Sequence, residues 1–268
     1  SKGPLFCFLG HTDVVPSGPE ELWDIDPFKP EVIGDYLIGR GAADMKGAVA
    51  TFLATAKEFL EENPNPNFRI CVFLTSNEEG EPADGKINKI ITDLQDAGEH
   101  IDYCLVGEAS SSLKLADTIR LGRRGSLSGS LTIIGKQGHV AYPDKVNNPI
   151  HLSGKVIDTL KEMVWDEGNE FFQPTSFQVS NIHSGTGATN VVPGQLEMKF
   201  NLRFSSESSE DSLKEKILSV LDKFDIEYKI EWTLNAIPFI TKQTFFKDVV
   251  IKSINSIMGY EPDINNGG

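Results

Sequence analysis

The sequence predicts an α/β protein that consists of a mostly parallel-sheet domain with a ferredoxin-like α+β domain inserted into it. Three observations lead to this prediction. Short apolar runs alternate with amphipathic helical stretches in the first half of the chain. From Gly125 onward, the predicted elements come in the order β-α-β-β-α-β. One more amphipathic stretch comes after Pro238. We expect the first domain to comprise residues 1–124 and 238–268, and the inserted domain residues 125–237.

The predicted parallel sheet rests on three runs, residues 5–9, 69–74 and 102–106, which are apolar at successive positions. Strands with apolar side chains on both faces are typical of a sheet that is covered on both sides. Two further stretches, residues 48–60 and 87–94, have apolar side chains at helical spacing. We therefore expect helices to alternate with the strands of this domain.

The inserted domain is predicted from alternating strands and amphipathic helices. Residues 195–204 alternate strictly between apolar and polar side chains, so one face of this strand should be exposed to water. A second strand should precede this one. The remaining predicted elements of this domain are strands over 127–134 and 226–234 and helices over 149–165 and 209–224. The amphipathic stretch over 245–258 is expected to return to the first domain.

Charge and hydropathy exclude several classes of partner. The 268 residues include 25 Lys and Arg against 39 Asp and Glu, which gives a formal net charge of −14. Nucleic acids and anionic membranes are therefore not expected as partners. No apolar run approaches the roughly 20 residues that cross a bilayer. The chain starts at Ser1 without a Met and stops after Gly267 and Gly268, and we expect both ends to be cut.

The three cysteines, Cys7, Cys71 and Cys104, each lie within an apolar run and show no CxxC spacing. This pattern predicts buried structural thiols. An odd number of interior thiols is typical of a reducing compartment, so we expect the protein to be cytoplasmic.

Potential metal ligands follow all three apolar runs. His11 comes after the first run, Glu78 and Glu79 after the second and Glu108 after the third, while Asp44 stands at the entrance to the first helix. Sites in parallel sheets form at the carboxyl ends of the strands, and one imidazole with several carboxylates suits a divalent metal.

Taken singly, each of these residues also has a structural interpretation. Asp44 could cap the helix, and the paired glutamates could complement a helix dipole. Glu108 could be a loop carboxylate and His11 a hydrogen-bonded turn histidine. Their joint placement favours the metal site.

The motifs GHTDVVP from Gly10, GRGAADMKG from Gly39, SNEEG from Ser76 and VGE from Val106 resemble those of the M20 family of dinuclear zinc hydrolases. Later segments narrow the resemblance to bacterial succinyl-diaminopimelate desuccinylases, and it covers essentially the whole chain. These segments are GRRGSL, GKQGHVAYP, WDEGNEFF, TSFQVSNIHSGTGATNVVPG and FNLRFS. The implied fold is a zinc-hydrolase catalytic domain with an inserted dimerisation or lid domain.

The resemblance implies two Zn²⁺ per subunit, with Co²⁺ as the alternative metal. His11 and Glu108 would hold one ion, Glu79 would help to hold the second, and Asp44 would bridge the two. The last histidine ligand of the family lies in a segment beyond Gly268. We therefore expect this chain to hold one metal well and the second poorly, because two protein ligands make a poor zinc site.

The resemblance also assigns roles around the metals. Glu78 would be the general base, although the residue before it is Asn77 where the family usually has Asp. Asp13 would orient His11. His139 would cross from the partner subunit of a homodimer to stabilise the oxyanion, whereas its structural interpretation is a histidine in a polar loop.

The implied substrate contacts are Arg123, Tyr142, Asn190 and Arg203, since an arginine fork fits a carboxylate. An arginine on the exposed face of a strand can equally be a solvated charge.

The implied reaction is metal-dependent hydrolysis of the small molecule N-succinyl-LL-2,6-diaminopimelate to succinate and LL-2,6-diaminopimelate, in lysine biosynthesis. Two alternatives stay open at this point. A related deacylase or aminopeptidase, such as an N-acetylornithine deacetylase, would share the chemistry, and a dimeric module without catalysis would share only the fold.

Overall fold

The computed structural model describes residues 3–79, 86–242 and 244–267. It divides the chain into two compact units, residues 1–111 and residues 112–268. The predicted domain boundaries at residues 124 and 237 remain predictions. No helix among the described residues is long and apolar enough to cross a membrane.

The first unit contains a three-stranded parallel sheet, as predicted. Its strands, in the order β4-β1-β5, are β1 (Leu5–His11), β4 (Arg69–Thr75) and β5 (Tyr103–Val106). The other elements of this unit are the hairpin of β2 (Glu31–Ile33) and β3 (Tyr36–Ile38) and the helices α1 (Gly47–Glu62) and α2 (Lys86–Asp96). The core of the unit lies between α1 and β1, where Phe8, Met45 and Val49 are buried and the Phe52 ring stacks on Phe8.

The expectation that all three strands are covered on both faces is wrong for β5. Leu105 and Val106 are exposed, because β5 forms an edge of the three-stranded sheet in this unit. The same position corrects the prediction of three buried thiols. Cys7 on the central strand is buried and Cys71 partly buried, whereas Cys104 is exposed. The three cysteines form a row, since Cys7 lies in register with both others.

The second unit contains the ferredoxin-like arrangement that the sequence predicts. Its elements are β7 (Gly125–Ile134), α3 (Pro149–Glu162), β9 (Ser176–Ser184), β11 (Gln195–Phe204), α4 (Glu210–Lys223) and β12 (Glu227–Ala236). The four strands form an antiparallel sheet in the order β12-β7-β11-β9. Apolar side chains of β11 and β7 pack with α3 and α4 in a core that includes Leu131, Leu160, Met198, Phe200 and Ile217.

Local sequence signals explain the ends of the two helices. The Asn148 side chain accepts a hydrogen bond from the Ile150 N–H, and Pro149 occupies the first turn of α3. The Ser209 and Ser212 side chains cap α4 reciprocally. The predicted extension of α3 to residue 165 is wrong, because the backbone is already extended at Met163.

Shorter elements complete the second unit. The strand β6 (Thr118–Arg123) pairs with β13 (Phe239–Ile240) and in parallel with β14 (Asp263–Gly267). A two-residue pair joins β8 (Gly138–His139) to β10 (Val191–Val192). The predicted last helix is α5 (Phe245–Met258), which begins after the Thr244 cap and ends at Gly259 with a φ of 76°.

Candidate metal centre

The candidate ligands of the first unit meet at the carboxyl edge of its parallel sheet. His11 is the last residue of β1, Glu78 and Glu79 come a few residues after β4, and Glu108 comes two residues after β5. Because neighbouring parallel strands end at the same edge, these side chains converge although the chain separates them by up to 97 residues. Gly80 and Gly268 lie outside the described residues.

The distances join all four predicted metal ligands and the predicted base Glu78 in one cluster. The Nε2 atom of His11 lies 2.9 Å from Asp44 Oδ1 and 3.4 Å from Glu108 Oε1. Potential ligand atoms lie within 4.8 Å of one another in two groups, which share His11. One group adds Asp44 and Glu79, and the other adds Glu78 and Glu108.

Met45 explains why glycine precedes two of the ligands. Its side chain is fully buried, and the His11 backbone N–H points at its sulfur atom over 3.3 Å. A Cβ atom at Gly10 would lie 2.8 Å from the Met45 methyl group, and one at Gly107 would lie 2.7 Å from it. Glycines at these positions therefore let the residue next to Asp44 pack against the ends of β1 and β5.

The His11 ring is oriented by its own neighbourhood. Its side chain is only 2% exposed, and Nδ1 lies 2.9 Å from the Asp13 carbonyl oxygen. A carbonyl oxygen only accepts, so Nδ1 carries a proton and donates, while Nε2 on the other side of the ring faces Asp44 Oδ1 at 2.9 Å. Burial opposes protonation of the ring, but the Asp44 and Asp13 contacts together with the charge of Glu108 raise the His11 pKa above its ordinary value.

The cluster carries an excess of negative charge. Burial, followed by the charge of Asp44, raises the pKa of Glu108 above its ordinary value, and Glu78 and Glu79 act in the same direction. Carboxylates that disfavour one another's ionisation in this way are stabilised by a cation. One imidazole nitrogen with several carboxylate oxygens is a donor set that fits zinc or a similar divalent ion.

Asp13 contacts His11 through its carbonyl oxygen, and its carboxylate has other partners. Its Oδ1 atom lies 3.5 Å from His11 Nδ1, farther away than the carbonyl oxygen of the same residue. The carboxylate accepts hydrogen bonds from two backbone N–H groups, that of Glu78 at Oδ1 over 3.2 Å and that of Glu79 at Oδ2 over 2.9 Å. Burial opposes ionisation of Asp13, but these two hydrogen bonds lower its pKa.

Three predicted residues of the second unit come together around the β8–β10 pair. His139 lies opposite Val191, and the Val140 N–H donates to the Asn190 carbonyl oxygen over 3.1 Å. The Tyr142 N–H donates to the His139 carbonyl oxygen over 3.0 Å, and the two rings meet edge to face with centroids 5.9 Å apart. Sequence reasoning missed this short strand pair, which Val-Val after Asn190 could have indicated.

The two predicted arginines stand on separate strands of the second unit. Arg123 ends β6 opposite Phe239, and its side chain is exposed. Arg203 lies on the exposed face of β11, in register with Ser126 and Ser176. Both guanidinium groups are therefore accessible to a ligand, and their role remains a prediction.

Comparison with known proteins gives the class of this fold. Residues 121–229 match the family model described as "Peptidase dimerisation domain" of the M20 peptidases. The chain also resembles a solved M20 family metallo-carboxypeptidase from Sulfolobus solfataricus, with a TM-score of 0.80 and 20% identity over 100% of this chain and 72% of that one. A dinuclear metal binding M20 peptidase from Bacillus subtilis shares the fold with a TM-score of 0.63 and 14% identity over 99% of this chain and 66% of that one. The fold, together with the cluster of potential metal ligands, is that of the M20 hydrolases.

The curated relatives are closer in sequence. A succinyl-diaminopimelate desuccinylase of Nitrosomonas europaea is 48% identical over 268 residues, which are 100% of this chain and 71% of that protein. The corresponding protein of Nitrosospira multiformis is 47% identical over the same extent. The chain belongs to the succinyl-diaminopimelate desuccinylase family of the M20 hydrolases.

Proposed function

We propose that the protein hydrolyses the amide bond of N-succinyl-LL-2,6-diaminopimelate and releases succinate and LL-2,6-diaminopimelate. This reaction supplies diaminopimelate for lysine and cell-wall precursor synthesis, and we place it in the cytoplasm. The observation that carries the proposal is the cluster of His11 with four carboxylates at the sheet edge, in a chain that is 48% identical to a protein named for this activity.

The metals in this proposal are two zinc ions per subunit, with cobalt as a substitute. His11 and Glu108 would bind the first ion, Glu79 the second, and Asp44 would reach both. Asp44 suits a bridging role because its side chain is 58% exposed and its Oδ1 atom already lies at the His11 ring. Bound zinc polarises a carbonyl group and lowers the pKa of a water molecule to about 7.

Glu78 is the proposed general base. It lies in one ligand group with His11 and Glu108, so a water molecule at the cluster is within reach of its carboxylate. Glu78 would take a proton from the attacking water and later deliver it to the leaving amine. The Nδ1–H of His11 stays on the Asp13 carbonyl oxygen throughout, which keeps the ring in one orientation.

His139 is the proposed oxyanion donor, supplied by the partner subunit of a homodimer that forms through the inserted domain. The Ala141 N–H donates to its Nδ1 atom, so the neutral ring carries its proton on Nε2. That N–H is the donor that a developing oxyanion requires. Tyr142 and Asn190 lie beside His139 and would contact the substrate, while Arg123 and Arg203 would bind its carboxylates.

Succinate release from N-succinyl-LL-2,6-diaminopimelate, measured with zinc supplied, tests this function. We expect hydrolysis by the parent protein and near-complete loss in Glu78→Ala. The matched control is Glu58→Ala, which removes an exposed glutamate of α1 in the same unit and should leave the rate unchanged. Hydrolysis of N-acetylornithine or a dipeptide instead of the succinylated substrate would assign a different substrate, and no hydrolysis of any of them by folded, zinc-loaded protein would overturn the proposal.

Calorimetric titration of the metal-free chain with zinc tests the metal assignment. His11 is the one imidazole of the described cluster and belongs to both ligand groups, so a single ion can use it at a time. We expect one tight site and a second, much weaker one. Two equally tight sites would contradict the assignment of ligands given above.

A further inference from the structure

The carboxylate of Asp13 contacts the backbone of both glutamates of the cluster. Oδ1 accepts from the Glu78 N–H over 3.2 Å, and Oδ2 accepts from the Glu79 N–H over 2.9 Å. Each carboxylate oxygen therefore serves one of two successive amides. The contacts link residues 65 and 66 positions apart in the chain, so they depend on the pairing of β1 with β4.

The main-chain carbonyl group of Asp13 contacts His11, on the other side of the cluster. Its carbonyl oxygen accepts from His11 Nδ1 over 2.9 Å, which is shorter than the 3.5 Å from that nitrogen to Asp13 Oδ1. The carbonyl oxygen thus orients the imidazole, and the carboxylate is left to bind the two amides. One residue connects the ring of His11 to the segment that bears Glu78 and Glu79.

The segment with Glu78 and Glu79 lies beyond the end of β4, so no strand pairing among the described residues fixes its backbone. Pairing of β4 with β1 ends where His11 lies opposite Thr75. At this end, the Thr75 carbonyl oxygen accepts from the Thr12 N–H over 2.8 Å and from the Thr12 hydroxyl over 3.0 Å. The chain beyond Thr75 leaves the sheet. Holding the N–H groups of Glu78 and Glu79 orients the peptide planes on both sides of the Glu78 Cα atom. This sets the direction in which the Glu78 side chain leaves the backbone and holds the backbone nitrogen of Glu79.

We propose that Asp13 is a positioning residue that acts through the backbone of Glu78 and Glu79, setting the base and a metal ligand at the same edge as His11. This inference rests on the proposed function and deepens it. It assigns to the Asp13 carboxylate a task distinct from orienting the imidazole, which the carbonyl oxygen performs.

The variant Asp13→Asn separates the two tasks. Asparagine has the same shape and keeps the carbonyl oxygen for His11, but it offers an acceptor to only one of the two amides and a donor to the other. Asp13→Ala removes both acceptors. The matched control is Asp102→Asn, because Asp102 Oδ2 accepts from the Leu5 N–H over 2.7 Å at the opposite end of β1.

Amide hydrogen exchange of the metal-free protein gives the direct readout. We expect faster exchange at Glu78 and Glu79 in Asp13→Ala, faster exchange at one of them in Asp13→Asn, and parental exchange at both in Asp102→Asn. In the zinc-loaded enzyme, we expect Asp13→Asn to lower kcat about 10- to 100-fold, as loss of a residue that orients metal ligands typically does, with little change in KM.

Unchanged exchange at Glu78 and Glu79 in folded Asp13→Asn and Asp13→Ala would overturn the inference. A weaker zinc affinity with unchanged exchange would instead assign the carboxylate to the imidazole. Faster exchange with parental kcat would show that the contact does not position the base. If the parent fails to hydrolyse the succinylated substrate, the proposed function fails, and exchange still decides whether Asp13 holds the two amides.

Discussion

The Nδ1 atom of His139 accepts a hydrogen bond from the backbone N–H of Ala141 over 3.1 Å. A backbone N–H only donates, so the neutral ring has its proton on Nε2. The Tyr142 ring contacts the same His139 ring in an edge-to-face arrangement. The local backbone thus sets which nitrogen of an exposed histidine can donate to a ligand.

Replacing His139 should slow catalysis without unfolding the protein. We expect His139→Ala to lower kcat about 100- to 1000-fold, the usual cost of an oxyanion donor, with little change in KM. The control is His183→Ala, since His183 is an exposed histidine on β9. A parental kcat in His139→Ala would remove this residue from the mechanism.

Mixed dimers test whether this histidine acts across the subunit interface. Subunits of His139→Ala and Glu78→Ala should be inactive alone but regain part of the activity when mixed, because one site then has both groups. An inactive mixture in which dimer exchange is demonstrated would place His139 in its own subunit's site.

Asp166 should stabilise the loop between α3 and β9. Its carboxylate accepts from the N–H groups of Gly168 and Thr175, over 2.9 and 3.0 Å, and from the Ser208 hydroxyl over 2.5 Å. We expect Asp166→Ala to lower the free energy of unfolding by about 2–3 kcal/mol, because several donors lose a charged acceptor. Urea unfolding measures this, with Asp158→Ala on the exposed face of α3 as the control. Equal midpoints for both variants would contradict the assignment.

The same carboxylate should make stability depend on pH. Burial opposes its ionisation, but hydrogen bonds from Ser208 and Thr175 lower the pKa of Asp166 to about 2, against roughly 3.9 in the unfolded chain. A depressed folded pKa contributes stability that is complete above the unfolded pKa and is lost as the pH falls through the folded one. The difference in unfolding free energy between parent and Asp166→Asn should therefore shrink between about pH 4 and pH 2. A difference that stays constant over this range would argue against an ionised carboxylate as the cause.

A larger residue at position 129 should destabilise the protein, because an aromatic ring occupies the space beside Gly129. It lies in register with Phe200 on β11, and a Cβ atom would come within 2.1 Å of that ring. We expect Gly129→Ala to lower the unfolding free energy by about 1–3 kcal/mol. Gly154→Ala is the matched control, because it meets open space within α3 and should stabilise the helix by about 0.5–1 kcal/mol. Equal effects of the two substitutions on thermal unfolding would contradict this packing.

Local patterns account for much of the agreement between prediction and structure. The alternation over residues 195–204 gives β11 its buried and exposed faces, and capping residues such as Asn148 and Ser209 mark where helices begin. These signals depend on near neighbours in the chain, which the sequence displays directly. The prediction was less accurate where burial depends on a strand's place in the sheet, as for Cys104 on the edge strand β5.

The order of the main helices and strands, and the residue types that follow each parallel strand, could be predicted from the sequence alone. The packing of Met45 against Gly10 and Gly107, and the binding of the Glu78 and Glu79 amides by the Asp13 carboxylate, became visible in the three-dimensional structure. Periodicity and capping act over a few residues, so the sequence shows them. Contacts between residues 35 to 66 positions apart arise from how the strands and the segment around Met45 pack together, which no local pattern specifies.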